Sequence, residues 1–196
     1  MDFLGALPRF GWPKSALISP CSAVLRLWRA GGPPSRRIIG DLSDPRLARY
    51  AVRDQAVVFD FIGATFAVGS NRDPTLSLMH ECLPHINLLA SCADLPAPPL
   101  VVFPSWRLIY GRPHYLPVDE QHPAHPLNVY AVHKLTVEGY LSIYNQTRGV
   151  PYLAFRISNP YGPHRGAASK GYGVINQSIQ TAAEGKRIRF FLMAAS

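Results

Sequence analysis

Cysteine is scarce: Cys21, Cys82 and Cys92 are the only three in 196 residues, and no two of them form a CxxC pair. An odd thiol count at such spacings argues against a disulfide framework or a zinc site, and makes a reducing cytoplasm the expected location. Charge is also sparse. Only 16% of residues are Asp, Glu, Lys or Arg, against 47% hydrophobic, so the chain can bury a core and is not a disordered polyelectrolyte. No apolar run reaches the ~18 residues a membrane helix needs. Pro8, Pro13 and Pro20 interrupt anything resembling the apolar region of a signal peptide. The chain thus reads as soluble, with no membrane partner and no metal. Acidic residues are nearly missing from the first 40 positions, where Asp2 faces six basic residues (Arg9, Lys14, Arg26, Arg29, Arg36, Arg37). The net charge of +8 is therefore mostly N-terminal. Such basicity raises a nucleic-acid partner, but neither an RNA-binding aromatic motif nor a helix-turn-helix signature accompanies it, and none is expected.

What is present alternates. Ser22 to Arg29 reads as a short basic helix. Arg37 to Gly40 reads as a strand, Asp41 to Asp44 as a turn, and Pro45 to Tyr50 as a helix capped by Asp44 with Pro45 at its first position. The nearly continuous apolar run Ala56 to Ile62 suits a parallel strand covered on both faces. Pro74 to Asp94 carries apolar residues at helical spacing despite Pro84, and Leu100 to Phe103 is a further strand. Val129 to Arg148 is an amphipathic helix stopped by Gly149; Val150 to Ile157 follows as a strand and Val174 to Gly185 as a helix. This order predicts right-handed βαβ units in a doubly wound parallel α/β sheet.

One spacing carries chemistry. In Tyr130-Ala-Val-His-Lys134 a phenol and an ammonium stand four residues apart, on one face of a helix. A nearby cation stabilises phenolate and brings a tyrosine toward proton exchange with a substrate hydroxyl. The plainer reading is a packed tyrosine and a solvated lysine. By the same helical geometry His133 points off their face, toward the surface. His122 and His125 fall in loops, where they can meet phosphate or simply be solvated.

The pair does not stand alone. Val101 to Gly111 lies upstream, then Pro117-Val-Asp-Glu120, His122-Pro123 and Pro126; Arg156-Ile-Ser-Asn-Pro-Tyr-Gly-Pro163 lies downstream. In this order the motifs resemble the NAD-dependent epimerase/dehydratase branch of the extended short-chain dehydrogenase/reductase superfamily, over about residues 38–191. The resemblance implies a Rossmann-like NAD-binding domain over 37–191, after an atypical Pro/Gly/Arg-rich segment 1–36 and before a tail 192–196. It implies Tyr130 as catalytic acid/base and Lys134 as the residue that holds the nicotinamide ribose and tunes Tyr130. Asp41 and Leu42 would meet the adenine end of NAD, and Phe61, Ile62 and Gly63 would lie along the cofactor. Asn159 would contact the phosphate of a nucleotide-sugar substrate, most simply a UDP-sugar. In the family mechanism the tyrosine removes a hydroxyl proton while hydride passes to NAD. A possible homodimer through the Tyr130–Lys134 helix completes the expectation.

Departures from the family pattern are equally readable. The Ser/Thr expected four residues before Tyr110 is Trp106. Ser105, one residue early, can serve as the catalytic hydroxyl only if the strand end bulges or turns. The Asn expected on the helix after the second cofactor strand is Glu81, and a usual glycine nearby is Pro84. Gly5 and Gly11 keep the outer glycines of a GxxGxxG pyrophosphate loop, but Pro8 replaces the middle one. That leaves a remnant fingerprint and an unrelated N-terminus as alternatives. Gly185 to Phe191 resembles the start of a family strand, so most of the sugar-binding portion is expected to be absent. Arg107 and Leu108 stand where dehydratases place acids, which favours a 4-epimerase over a dehydratase. The alternative function is a truncated, inactive relative that acts as a binding partner.

Overall fold

Three parallel strands form the centre of the molecule: β3 (Val57–Phe59), β4 (Leu100–Trp106) and β5 (Tyr152–Ile157), in the order β3-β4-β5. They belong to a computed structural model that describes residues 22–27, 36–63, 67–162 and 174–188. Val58 pairs with Val101, and Val101 with Tyr152. The chain returns from β3 to β4 through α2 (Ala67–Arg72), α3 (Pro74–Glu81) and α4 (Leu83–Ala93), and from β4 to β5 through α5 (Val129–Arg148). Both crossovers advance across the sheet in one direction, so right-handed connections stack these helices on one face.

That face is the core. Val101 and Phe103 of β4 meet Leu88, Leu89 and Cys92 of α4 and Val137 and Leu141 of α5, all buried. Each such side chain contributes roughly 1.5–3 kcal/mol by leaving water. The other face stays open among the described residues: Phe59 is 57% exposed, Leu153 46% and Phe155 49%. The expectation that Ala56 to Ile62 is covered on both sides is corrected here. In a doubly wound sheet the second face is covered by crossovers that run the opposite way, from strands that precede β3.

Helix α1 (Pro45–Val52) starts as its sequence dictates, with Asp44 Oδ1 accepting from the Arg46 backbone N–H at 2.9 Å and Pro45 inside the first turn. It buries Ala48, Ala51 and Val52 and packs against α4. Helix α5 runs from an Asn128 cap to Gly149, whose φ of 69° lets the chain leave in the left-handed conformation. Two elements differ from expectation. Where a helix is expected from Ser22, the described residues form a strand: β1 (Ser22–Leu27) pairs antiparallel with β2 (Arg36–Asp41) in a separate two-stranded sheet. Pairing overrides the modest helical propensity of a segment too short to hold a helix alone. Pro74 to Asp94 is two helices, because Pro84 lacks an N–H and its ring blocks the preceding turn; the break falls at Cys82, the cap shared by α3 and α4. Helix α6 (Val174–Ala183) follows, and no described helix is long and apolar enough to cross a membrane.

Candidate functional site

Two asparagines set the start of α5 and with it Tyr130. Asn128 Oδ1 accepts from the Ala131 N–H at 2.8 Å, and Asn71 of α2 reaches across to accept from the Val129 N–H at 3.0 Å. Tyr130 thus sits between two capped amides at the positive end of a 20-residue helix. One turn on, Lys134 is buried, not solvated. Its Nζ lies 4.7 Å from the centre of the Phe103 ring and 5.5 Å from that of Tyr130. Burial lowers the Lys134 pKa, while the charges of Glu81 and Asp60 oppose that shift and favour the ammonium.

The end of β3 closes on the same place. Phe61 is exposed, Ile62 packs partly against the core, and Gly63 has φ of 128°. A Cβ at Gly63 would lie 2.7 Å from Glu81 Oε2 and 3.7 Å from Lys134 Nζ. Gly63, Glu81 and Lys134 therefore converge just beyond the C-terminal ends of β3 and β4, where open α/β sheets bind their ligands. The arrangement offers one phenol, one buried ammonium and a bare stretch of backbone.

Against known proteins, the description of the NAD dependent epimerase/dehydratase family matches residues 16–193. The chain belongs to that family. The match begins inside the Pro/Gly/Arg-rich segment set apart above. Among curated relatives, the UDP-glucose 4-epimerase of Lactobacillus helveticus is 28% identical over 136 residues, which are 68% of this chain and 41% of that one. The structure resembles the UDP-N-acetylglucosamine 4-epimerase of Methanobrevibacter ruminantium in complex with UDP-N-acetylmuramic acid, with TM-score 0.69 and 25% identity, covering 79% of this chain and 49% of that one. It also resembles the Thermus thermophilus UDP-glucose 4-epimerase in complex with NAD, with TM-score 0.63 and 29% identity, covering 76% and 49%. The chain spans 38% to 47% of the length of the curated relatives it matches.

In this epimerase/dehydratase chain an indole stands where the sequence resemblance implies a Ser or Thr. Trp106 lies edge-on to Tyr130, ring centres 5.2 Å apart. The pairing of β4 with β5 is unbroken from Val101↔Tyr152 to Trp106↔Ile157, so Ser105 follows Phe103, the ring beneath Lys134, on one face of the strand and Trp106 falls on the other. Ser105 is buried and its Oγ has no hydrogen-bond partner.

Two histidine readings also change. His133 is buried, not on the surface, and its Nδ1 hydrogen-bonds Ser77 Oγ at 3.2 Å, because α3 packs over that side of α5. His122 is likewise buried: Nδ1 donates to the Pro123 carbonyl at 2.8 Å and Nε2 accepts from the His114 N–H at 2.9 Å. It organises the loop before α5. A buried pair escaped the sequence altogether: Asp60 Oδ2 and His85 Nδ1 are 2.6 Å apart beneath Phe103. An acid inside the apolar run Ala56 to Ile62 was the available signal.

Asp41 and Leu42 form a turn whose Asp41 carboxylate accepts from the Ser43 N–H at 2.8 Å, while the Leu42 carbonyl accepts from Asn87 of α4. The Leu42 side chain is wholly buried. Asn159, past β5, accepts two hydrogen bonds from Arg107 at 3.3 Å. Gly5 and Gly11 lie outside the described residues. A separate cleft of about 1360 Å³ runs along β5 and α5, walled by Tyr110, Glu138 and Arg156, away from Tyr130 and Lys134. Arg156 is fixed there by Glu138 at 2.8 Å and the Tyr110 hydroxyl at 2.9 Å.

Proposed function

We propose that this chain is the cofactor-binding part of an NAD-dependent nucleotide-sugar 4-epimerase that takes a UDP-sugar. The observation that carries the reading is the convergence of Tyr130, buried Lys134 and bare Gly63 at the ends of β3 and β4. These residues fit a dinucleotide: Gly63 presents backbone without a side chain beside the site, and Lys134 offers an ammonium to ribose hydroxyls. Lys134, Phe61, Ile62 and Gly63 would hold the nicotinamide end and Asp41 and Leu42 the adenine end, with Gly5 and Gly11 toward the pyrophosphate. NAD, when bound, supplies the hydride acceptor and donor.

The chain's own residues supply the proton chemistry. Tyr130 takes the proton of the reacting sugar hydroxyl at its phenolic oxygen and returns it afterwards; the Lys134 charge favours the phenolate that does so. Asn159 has its carbonyl oxygen engaged by Arg107, so its amide N–H groups are the ones left for a substrate phosphate. Val132 and Ile143 on α5, with Leu76 and Met79 on α3, are exposed apolar residues suited to a homodimer. The cytoplasm is the matching compartment.

A second reading has its own observation. The Trp106 indole occupies the neighbourhood of Tyr130 without the hydroxyl the relay needs, which favours a binding-competent but inactive relative. Calorimetric titration with NAD, thermal stabilisation by UDP-glucose, and an assay of UDP-sugar turnover test both. NAD binding with turnover supports the epimerase; NAD binding without turnover supports the inactive relative. Absence of both binding and stabilisation would sink the cofactor reading itself.

A further inference from the structure

Glu81 stands in an unfavourable place for a carboxylate. It is the last residue of α3, at the negative end of a helix, and is only 2% exposed. It also crowds the backbone, with Oε2 at 2.7 Å from the point where a Gly63 Cβ would be. Lys134 Nζ lies 3.7 Å from that same point, so the two charges flank one spot from opposite helices. Buried charges persist when paired.

The other ionisable groups around this spot are already committed. Asp60 is bound to His85 at 2.6 Å. Burial pushes the Cys82 thiol up to about 11, so it is neutral. His133 is tied to Ser77. Tyr130 is the group to be tuned. Among the charges acting on Lys134, that of Glu81 is the largest.

We propose that Glu81 is a positioning residue whose carboxylate anchors the Lys134 ammonium over Phe103 beside Gly63, and through it fixes the charge that acts on Tyr130. The proposal rests on Tyr130 and Lys134 being the acid/base pair. It places a buried carboxylate at the position where the family pattern has an amide, so that here the lysine is held by charge as well as by geometry. The ribose hydroxyls of a dinucleotide then meet a lysine already oriented.

The experiment reads Lys134 itself, without substrate. Its ε-amine is titrated by NMR after reductive methylation, with Lys134→Met assigning the signal, in wild type, Glu81→Gln and Glu81→Asp. Glu81→Gln is expected to move the lysine titration to lower pH by about 1 unit or more, the effect of losing an opposite charge at this range. Glu81→Asp is expected to restore most of it, and NAD affinity in the Gln variant to fall several-fold. An unchanged titration in Glu81→Gln, or equal shifts in both variants, overturns the proposal. If Glu81→Gln does not fold, thermal melts of Lys134→Met and the Glu81→Gln/Lys134→Met pair decide: a double variant that melts above Lys134→Met supports the ion pair, and one that melts lower overturns it. A lysine shift in a chain without epimerase activity would leave this proposal standing while the catalytic reading falls.

Discussion

The Trp106 indole meets the Tyr130 ring edge-on, with 5.2 Å between centres and 76° between planes. An indole N–H donates but cannot accept, so it cannot complete a proton relay between a substrate hydroxyl and the phenol. Trp106→Ser restores a hydroxyl at the family's position. Under the proposed epimerase function it should raise kcat for UDP-glucose epimerisation about tenfold or more, and it should lower stability by about 1 kcal/mol through the lost ring contact. Steady-state assays and urea unfolding of the two proteins read both effects. A variant with unchanged kcat would show that the indole is not what limits turnover.

Local signals were the legible part of this chain. Asn128, the apolar spacing and Gly149 bound α5 at Val129 and Arg148, because a helix carries its own start and stop. Tyr130 and Lys134 share a face for the same reason. What stayed illegible depends on neighbours remote in sequence. Nothing near His133 announces that Ser77, 56 residues away, will cover it, and helical geometry alone sends it to the surface. The pairing of β1 with β2 is a tertiary fact that six residues of mixed propensity cannot encode. Pro84 is visible in the sequence, but a proline in a helical period can bend or split the helix, and packing decides here for a split at Cys82.

Asp60 and His85 form a fully enclosed pair, with side-chain exposures of 1% and 0%. Asp60→Ala strands the imidazole without its partner and should cost about 3 kcal/mol, read as a lower urea midpoint at unchanged slope. Asp60→Asn keeps an acceptor for Nδ1–H and should cost less than half as much. Equal losses in the two variants would mean that packing, not the hydrogen bond, sustains the site.

Burial lowers the His133 pKa below its ordinary 6.5, with the Glu81 charge opposing as the smaller influence. A base whose folded-state pKa is depressed contributes stability above the unfolded pKa. That contribution is lost as pH falls through 6.5 toward the folded value. Wild type should therefore lose melting temperature more steeply than His133→Gln on the acid side of 6.5, and in parallel with it on the alkaline side. Parallel curves throughout would place the neutral imidazole in no special role.

Gly63 joins two separate demands, and they can be pulled apart. Its φ of 128° is one that side chains rarely adopt, and a Cβ there would meet the Glu81 carboxylate at 2.7 Å. Gly63→Ala should cost about 2 kcal/mol in stability and weaken NAD binding by about tenfold or more, since the backbone at this point is what the cofactor is to lie against. Adding Glu81→Ala removes the collision but leaves the torsional strain. Measured against Glu81→Ala alone, so that loss of the Glu81 charge cancels, the double variant should show a smaller stability cost of Gly63→Ala and a similar loss of NAD affinity, as measured by calorimetry. Full recovery of both would assign the glycine to packing alone; recovery of neither would assign it to backbone conformation. The partial outcome is expected because strain and the lost approach to the dinucleotide both act through the backbone, which the second substitution does not change.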